Sequence, residues 1–183
     1  LKSYVAVDIQ LQFLEVANRI ESELKIPTKK VNSSFEDFLS KDQPFEDHPK
    51  FIYLGSTFGN FTSDPIEQRL TRFMNKGDLV YLSAGVSPKD IDSLVRGYDS
   101  SLPMFEPVAR KNGLTDGELK AKWNPENLSV EQVYETKEAK YILGISKKYS
   151  IYSFKNQVSK YFEGDYFIEE NHIGFLGNKR WLK

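Results

Sequence analysis

The chain has 183 residues, 39% of them hydrophobic, which is about one domain on a prior of roughly 100–200 residues per domain and enough for a buried core. That excludes a disordered tail or a bare coiled coil. The 25 Lys and Arg against 26 Asp and Glu leave a net charge of −1, so no global basic field holds nucleic acid or anionic lipid.

Cysteine is absent, which removes disulfides, thiolate nucleophiles and Cys-based zinc sites, and His48 and His172 stand without ligand spacing around them. No metal is expected. No stretch approaches the roughly 18 consecutive apolar residues of a membrane span, and the N-terminus lacks the regions of a signal peptide. The expected location is therefore cytoplasmic, and the Asn-x-Ser/Thr triplets at Asn32, Asn60 and Asn127 read as chance matches. The opening Leu1-Lys2-Ser3-Tyr4 has no initiating Met and reads as a piece cut from something longer.

In chain order, Tyr4 to Val7 is a short apolar strand ended by Asp8, and Leu11, Leu14, Val16, Ala17, Ile20 and Leu24 recur at helical spacing until Pro27. Lys30-Val31 is a weak strand candidate, and Phe35 to Leu39 fits a helical turn before His48-Pro49. Phe51 to Leu54 is a compact apolar strand ended by Gly55. Asp64-Pro65 then starts a helix whose inward face is Ile66, Leu70, Phe73 and Met74. Lys76-Gly77-Asp78 makes a turn into the strand Leu79 to Leu82. Strand-helix units with contiguous apolar strands predict a parallel sheet covered by helices. From Ser87-Pro88 the character changes: Ile91, Leu94 and Val95 read as one helix, Phe105 to Arg110 as another, and Asn112-Gly113 and Asp116-Gly117 as turns. Beyond Val130, Tyr141 to Leu143 reads as a strand and Tyr152 to Phe162 as a helix. Tyr166 to Glu169 and Phe175 to Leu182 read as two late strands around Gly177-Asn178.

Ligands of open parallel sheets bind outside the carboxyl ends of the strands. Asp8 stands at such an end, where a carboxylate either accepts both ribose hydroxyls of a nucleotide or caps the next helix. After the strand at 51–54 comes Gly55-Ser56-Thr57-Phe58-Gly59-Asn60-Phe61-Thr62. Two glycines four apart let this backbone approach a ligand, and Asn60 both donates and accepts. No Lys follows the second glycine, so the loop is not a phosphate-cradling P-loop.

Tyr53 to Phe61, with Arg69 beyond it, resembles the signature of the histidine-specific, S-adenosylmethionine-dependent methyltransferase family, which includes the L-histidine Nα-methyltransferase of ergothioneine biosynthesis. Tyr4-Val5-Ala6-Val7-Asp8-Ile9 resembles the family's second strand, Gly77-Asp78 the approach to a later one, and Arg96-Gly97-Tyr98-Asp99 its Arg-Ala-Tyr-Asp segment. The resemblance implies an α/β fold: a Rossmann-like class I methyltransferase sheet, mostly parallel with late antiparallel strands, N-terminally truncated. It implies a single domain over 1–183, with a cofactor-side core (1–86), a helical substrate-side insertion (87–138) and C-terminal strands and helix completing the sheet (139–183). It implies S-adenosylmethionine as cofactor, with Asp8 on its ribose, Phe35 near its adenine and Gly55 lining its pocket. Asn60 and Tyr98 would hold an amino-acid-like small molecule and aim its amine, with Ser146 as a further substrate contact.

Two departures from the pattern carry expectations. The family places a Glu two residues before the Ser of a Lys-aromatic element, and here Gly144 stands there, ahead of Ile145-Ser146-Lys147-Lys148-Tyr149. A glycine cannot accept an imidazole N–H, so preference for histidine should be reduced, unless Glu135, Glu138 or another acid substitutes. The family's first strand and glycine-rich turn have no counterpart before Tyr4. Its loss would leave two strand edges unpaired, to be met by closure of the strands, by an upstream segment of the parent protein, or by a second copy of the chain.

A catalytically silent scaffold or ligand-binding module is the alternative function. A nucleic-acid module, suggested by Lys147, Lys148, Tyr149, Tyr152, Lys155 and Lys160, fits the near-zero net charge less well than a solvated helix face does. Neither nucleic acid nor membrane is an expected partner. The expected outcome for the 183 residues alone is weak or absent S-adenosylmethionine binding, and low-micromolar affinity in calorimetry would overturn it.

Overall fold

The structure is a computed structural model that describes residues 2–41, 49–61, 66–169 and 171–180, the side chain of Ser56 excepted. The sequence-predicted helix start at Asp64-Pro65, His48, and the end of the last strand at Trp181-Leu182 lie outside the described residues.

The first half alternates strand and helix: β1 (Tyr4–Asp8), α1 (Leu11–Leu14), α2 (Val16–Leu24), β2 (Thr28–Asn32), α3 (Phe35–Ser40), β3 (Phe51–Leu54), a 3-10 turn (Ser56–Asn60), α4 (Ile66–Phe73) and β4 (Leu79–Val86). Each boundary has a local cause. Lys25 ends α2 in the left-handed region at φ 56°, two residues before Pro27, and Ser34 caps α3 by accepting the Asp37 N–H at 3.0 Å. The predicted inward face of α4 is the observed one: Ile66, Leu70, Phe73 and Met74 are all buried.

The second half comprises α5 (Ile91–Asp99), a 3-10 turn (Leu102–Phe105), α6 (Glu106–Lys111), β5 (Glu118–Asn124), β6 (Ser129–Glu135), β7 (Lys140–Tyr149), α7 (Ile151–Val158), β8 (Phe162–Glu169) and β9 (His172–Lys179). Here the structure corrects two expectations. The segment 87–138 is helical only in its first part, because β5 and β6 form an antiparallel hairpin that continues into β7. The alternation Ser129-Val130-Glu131-Gln132-Val133 hides this, since both faces of β6 are buried and its polar residues sit inside. Gly177 and Asn178 lie within β9, paired to Gly164 and Glu163 of β8, and the chain reverses between Glu169 and His172 instead.

β1 and β2 form a parallel two-stranded sheet, and the other strands form a mixed seven-stranded sheet in the order β5-β6-β7-β4-β9-β8, with β3 also on β4. The pairs β3–β4 and β4–β7 are parallel, while β4–β9, β8–β9 and the β5–β6–β7 meander are antiparallel. The expected α/β sheet with late antiparallel strands is therefore present, but it is mixed rather than mostly parallel, because antiparallel pairing begins earlier, at β5. β1 and β3 do not pair with one another. The β1–β2 sheet meets the rest through α3, whose Phe35 packs on Phe61 (6.2 Å between ring centroids) and whose Phe38 packs on Phe73 of α4 (5.8 Å).

β4 is the centre of the core, with Val80, Leu82 and Ala84 fully buried. One edge pairs with β9 from Val80 to Gly85. The opposite edge is divided: β3 takes Leu79 to Leu82, and β7 takes Gly85 and Val86 through Lys148 and Tyr149. The end of β7 therefore lies directly beyond the carboxyl end of β3, where the 3-10 turn begins. Under it, Phe58, Tyr149 and Phe154 pack at 5.5–5.9 Å between ring centroids. Burial pushes the Tyr149 hydroxyl up to about 12, and the Glu67 carboxylate adds to the shift.

Asp78 fixes the start of β3 and β4 together. Its carboxylate is buried, and it accepts the Lys50 N–H at 2.7 Å and the Asn75 N–H at 2.7 Å while pairing with the Lys50 ammonium at 2.9 Å. Removing one partner of such a buried pair leaves the others unmatched. Asp78→Ala should lower unfolding free energy by about 3 kcal/mol, read from urea denaturation, and a loss within that of an ordinary surface substitution would show that the contacts are dispensable.

Candidate functional site

Three carboxyl strand ends hold the residues that the sequence singled out. Gly55 follows β3, and the 3-10 turn after it buries Phe58 while leaving Asn60 exposed. A Cβ on Gly59 would stand 2.7 Å from the Lys147 carbonyl oxygen, so this turn lies backbone to backbone against β7 and only glycine fits. The close approach expected for a ligand at the second glycine is thus made to the protein's own strand. Its effect is to bring Asn60 alongside the β7 segment that carries Ser146 and Lys148. Among the described residues no hydrogen bond joins the Asn60 side chain to the protein.

After β4 the chain turns into α5, capped by Asp90, whose carboxylate accepts the Ser93 N–H at 3.0 Å. Tyr98 lies in the last turn of α5 and reaches back to β7. Its hydroxyl is 2.7 Å from Ser146 Oγ and 2.5 Å from Lys148 Nζ, and Lys148 Nζ is 3.1 Å from Ser146 Oγ. Lys148 is only 7% exposed. Its ammonium lies 5.0 Å from the centre of the Tyr98 ring, which with the short oxygen contact places it off the end of the ring rather than over the face. Gly85 of β4 makes the room, because a Cβ there would come within 2.9 Å of Lys148 Nζ. The structure therefore joins two expected residues, Tyr98 and Ser146, to a third, Lys148, which sequence reasoning placed on a solvated face. Its signal was its spacing, two residues from Ser146 on a strand and hence on the same side.

The same burial separates the basic-aromatic group. Lys148 and Tyr149 are buried at the end of β7, while Tyr152 is exposed on α7, so these residues do not form one helical face.

Gly144 pairs with Gln132 in the β6–β7 ladder. A Cβ at 144 would stand 2.6 Å from Phe105 Cε1 and 2.7 Å from Gln132 Oε1, so Phe105 and Gln132 occupy the space where a Glu would project. Neither Glu135, Glu138 nor the neighbouring Glu131 replaces it. Glu131 points to the other face, held below the usual carboxylate range by hydrogen bonds from Lys140 and Asn124. Glu135 bonds to Lys122 near the open end of the hairpin, and Glu138 lies in the exposed turn that follows. The acceptor nearest position 144 is the neutral amide of the buried Gln132.

On the other side of the 3-10 turn stand the remaining residues. Asp8 ends β1; its Oδ1 accepts the Gln10 N–H at 2.7 Å, and its Oδ2 has no partner among the described residues. Its local role is thus an Asx turn, with one carboxylate oxygen left over. Phe35 is half-buried against Phe38 and Phe61, and Gly55 lies beside the Tyr53 ring, which a Cβ would meet at 3.1 Å. A free carboxylate oxygen after β1, a half-buried phenyl ring on α3 and a glycine after β3 are chemical groups suited to a nucleoside. Arg69 of α4 bonds Ser40 Oγ at 3.3 Å, tying α4 to the end of α3.

A family model described as histidine-specific methyltransferase, SAM-dependent, matches residues 2–162. The chain belongs to this family. Methyltransferases of the family depend on S-adenosylmethionine, which is accordingly the cofactor. The fold is also that of solved structures at low identity. The PH0226 protein from Pyrococcus horikoshii OT3 is similar at TM-score 0.56 and 11% identity, over 97% of this chain and 74% of that one. An S-adenosylmethionine-dependent methyltransferase from Clostridium acetobutylicum ATCC 824 is similar at 0.52 and 10%, over 97% and 75%. No curated protein matches. Among the described residues no helix of this methyltransferase is long and apolar enough to cross a membrane.

In this methyltransferase, Gly144→Glu should not restore an acidic site by itself. The side chain meets Phe105 and Gln132, and the strain should cost about 1–3 kcal/mol. Thermal melting of Gly144→Glu with and without Phe105→Ala checks this: the second substitution should recover part of the loss, and an unchanged melting temperature in the single variant would show that the space is free.

Proposed function

We propose that this methyltransferase transfers a methyl group to the amino group of a histidine-like amino acid or another small amine. The observation that supports this best is the Tyr98–Ser146–Lys148 cluster at the carboxyl end of β4, beside the turn that presents Asn60. Asp8, with its unused Oδ2, would accept the ribose hydroxyls of the cofactor, Phe35 would lie against its adenine, and Gly55 would line its pocket. Bound S-adenosylmethionine supplies a methyl group already activated on a sulfonium.

The protein's task is then to place the amine and keep its lone pair free. Asn60 Oδ1 and Tyr98 Oη accept the amine hydrogens, which aims the lone pair away from both. Ser146 holds Tyr98 and faces the same space. Held in this way, the amine would present its lone pair to the methyl group that the cofactor supplies, and Asn60 and Tyr98 would only position it. The acceptor's side chain meets Phe105 and the Gln132 amide instead of a carboxylate, so selectivity for imidazole over other side chains is low.

Incubating the full-length protein with S-adenosylmethionine and a panel of amino acids, with product masses as readout, tests the reading; no N-methylated product from any of them overturns it. Asn60→Ala should reduce kcat/KM for the acceptor by roughly tenfold or more and leave cofactor affinity unchanged in calorimetry. Equal loss of both would mean that Asn60 only shapes its turn.

A further inference from the structure

Lys148 is a buried cation whose hydrogen-bond partners among the described residues are two hydroxyls, Tyr98 and Ser146. Burying a charge without a counter-charge is unfavourable, so its presence calls for a reason. We propose that Lys148 is a positioning residue that fixes the order of hydrogens in this cluster, so that Tyr98 faces the acceptor amine with a lone pair and no hydrogen. The inference rests on the amine-methylating reading above and goes beyond it by assigning a role to a residue that does not itself touch the amine.

The order follows from what each group can do. An ammonium has three donors and no acceptor, so both of its contacts run from N–H to oxygen. The 2.7 Å contact between Tyr98 Oη and Ser146 Oγ then needs a hydrogen from one of the two hydroxyls. The closer ammonium contact is to Tyr98, at 2.5 Å against 3.1 Å for Ser146. Receiving the charged donor polarises the phenol O–H and makes it the stronger donor of the pair. The Tyr98 hydrogen is therefore committed to Ser146. Tyr98 keeps one lone pair for a ligand, and Ser146 keeps its own hydrogen to donate.

This matters for an amine nucleophile in particular. A tyrosine free to rotate its hydrogen would donate it to the amine lone pair, the electron pair that must attack. With Lys148 in place, Tyr98 can only accept an amine hydrogen, which leaves the lone pair exposed.

The test is a double-mutant cycle in the full-length protein. Lys148→Met should lower kcat on the order of tenfold with cofactor affinity unchanged, and in a Tyr98→Phe background it should cause no further loss. Equal losses in both backgrounds would mean a structural role and overturn the proposal. Rescue gives a second readout where Lys148→Met does not fold. Cysteine is absent from these residues, so Lys148→Cys can be alkylated in the unfolded chain with 2-bromoethylamine to restore an ammonium, and refolded. Recovery of most of the rate supports the proposal, and none overturns it. If the unaltered protein methylates no amine, the functional reading fails, and the hydrogen order is read without turnover. The tyrosine 13Cζ resonance that disappears in Tyr98→Phe should shift when Lys148 is replaced or left unalkylated, and a resonance that stays in place overturns the proposal.

Discussion

β4 has two edges and serves three strands. β9 occupies one edge along its length, and the other is shared end to end by β3 and β7. Sharing an edge forces the loop leaving β3 to turn sharply, because the next ladder position is taken by β7. The 3-10 turn with glycine at its point of contact is the solution: Gly59 lets the Lys147 carbonyl oxygen come as close as a side chain would forbid. From this one constraint follow the placement of Asn60, the depth of Phe58 and the proximity of the turn to Ser146 and Lys148. Asp78 and Lys50 secure the other end of the same strands, so the register of β3 on β4 is held at its start by charge and at its finish by aromatic packing.

The region around Tyr98, Ser146 and Lys148 is built around missing side chains. Gly85 leaves the volume that the Lys148 ammonium occupies, and Gly144 leaves the volume taken by Phe105 and Gln132. A cation can be buried there because two hydroxyls surround it, and those hydroxyls come from two different elements, α5 and β7. The cluster therefore also ties the helix after β4 to the strand that ends beside it, coupling the position of Tyr98 to the sheet.

Much of the first half was legible from sequence. The contiguous apolar runs of β3 and β4 and the inward face of α4 obey local rules that depend little on the rest of the chain. The hairpin β5–β6 was not legible, because β6 buries both faces and places Glu131 and Gln132 inside, which erases the period-two alternation that reveals a strand. The turn assigned to Gly177-Asn178 failed for a related reason: glycines in β8 and β9 face one another at Gly164 and Gly177, and serve close strand contact instead of reversal. In the site, Tyr98 and Ser146 were found through the motif they resemble. Lys148 was read with its neighbours as surface charge because a lysine's burial depends on partners remote in sequence, here Tyr98, 50 positions away.

On the proposed assignment, the ribose contact Asp8 belongs to the β1–β2 pair, whereas Tyr98 of α5 and Ser146 of β7 belong to the elements around β4. No ladder spans the two. What α3 contributes between them is phenyl rings in tilted or offset contact, and such contacts slide more readily than hydrogen-bonded strands because they have no register. An in-line displacement tolerates little error in the spacing of its two reactants, where a shift of about 1 Å can cost on the order of a hundredfold in rate. On the proposed assignment, alignment of donor and acceptor would be a property of ring packing, a mechanical joint whose stiffness is set by phenylalanines remote from the reacting atoms.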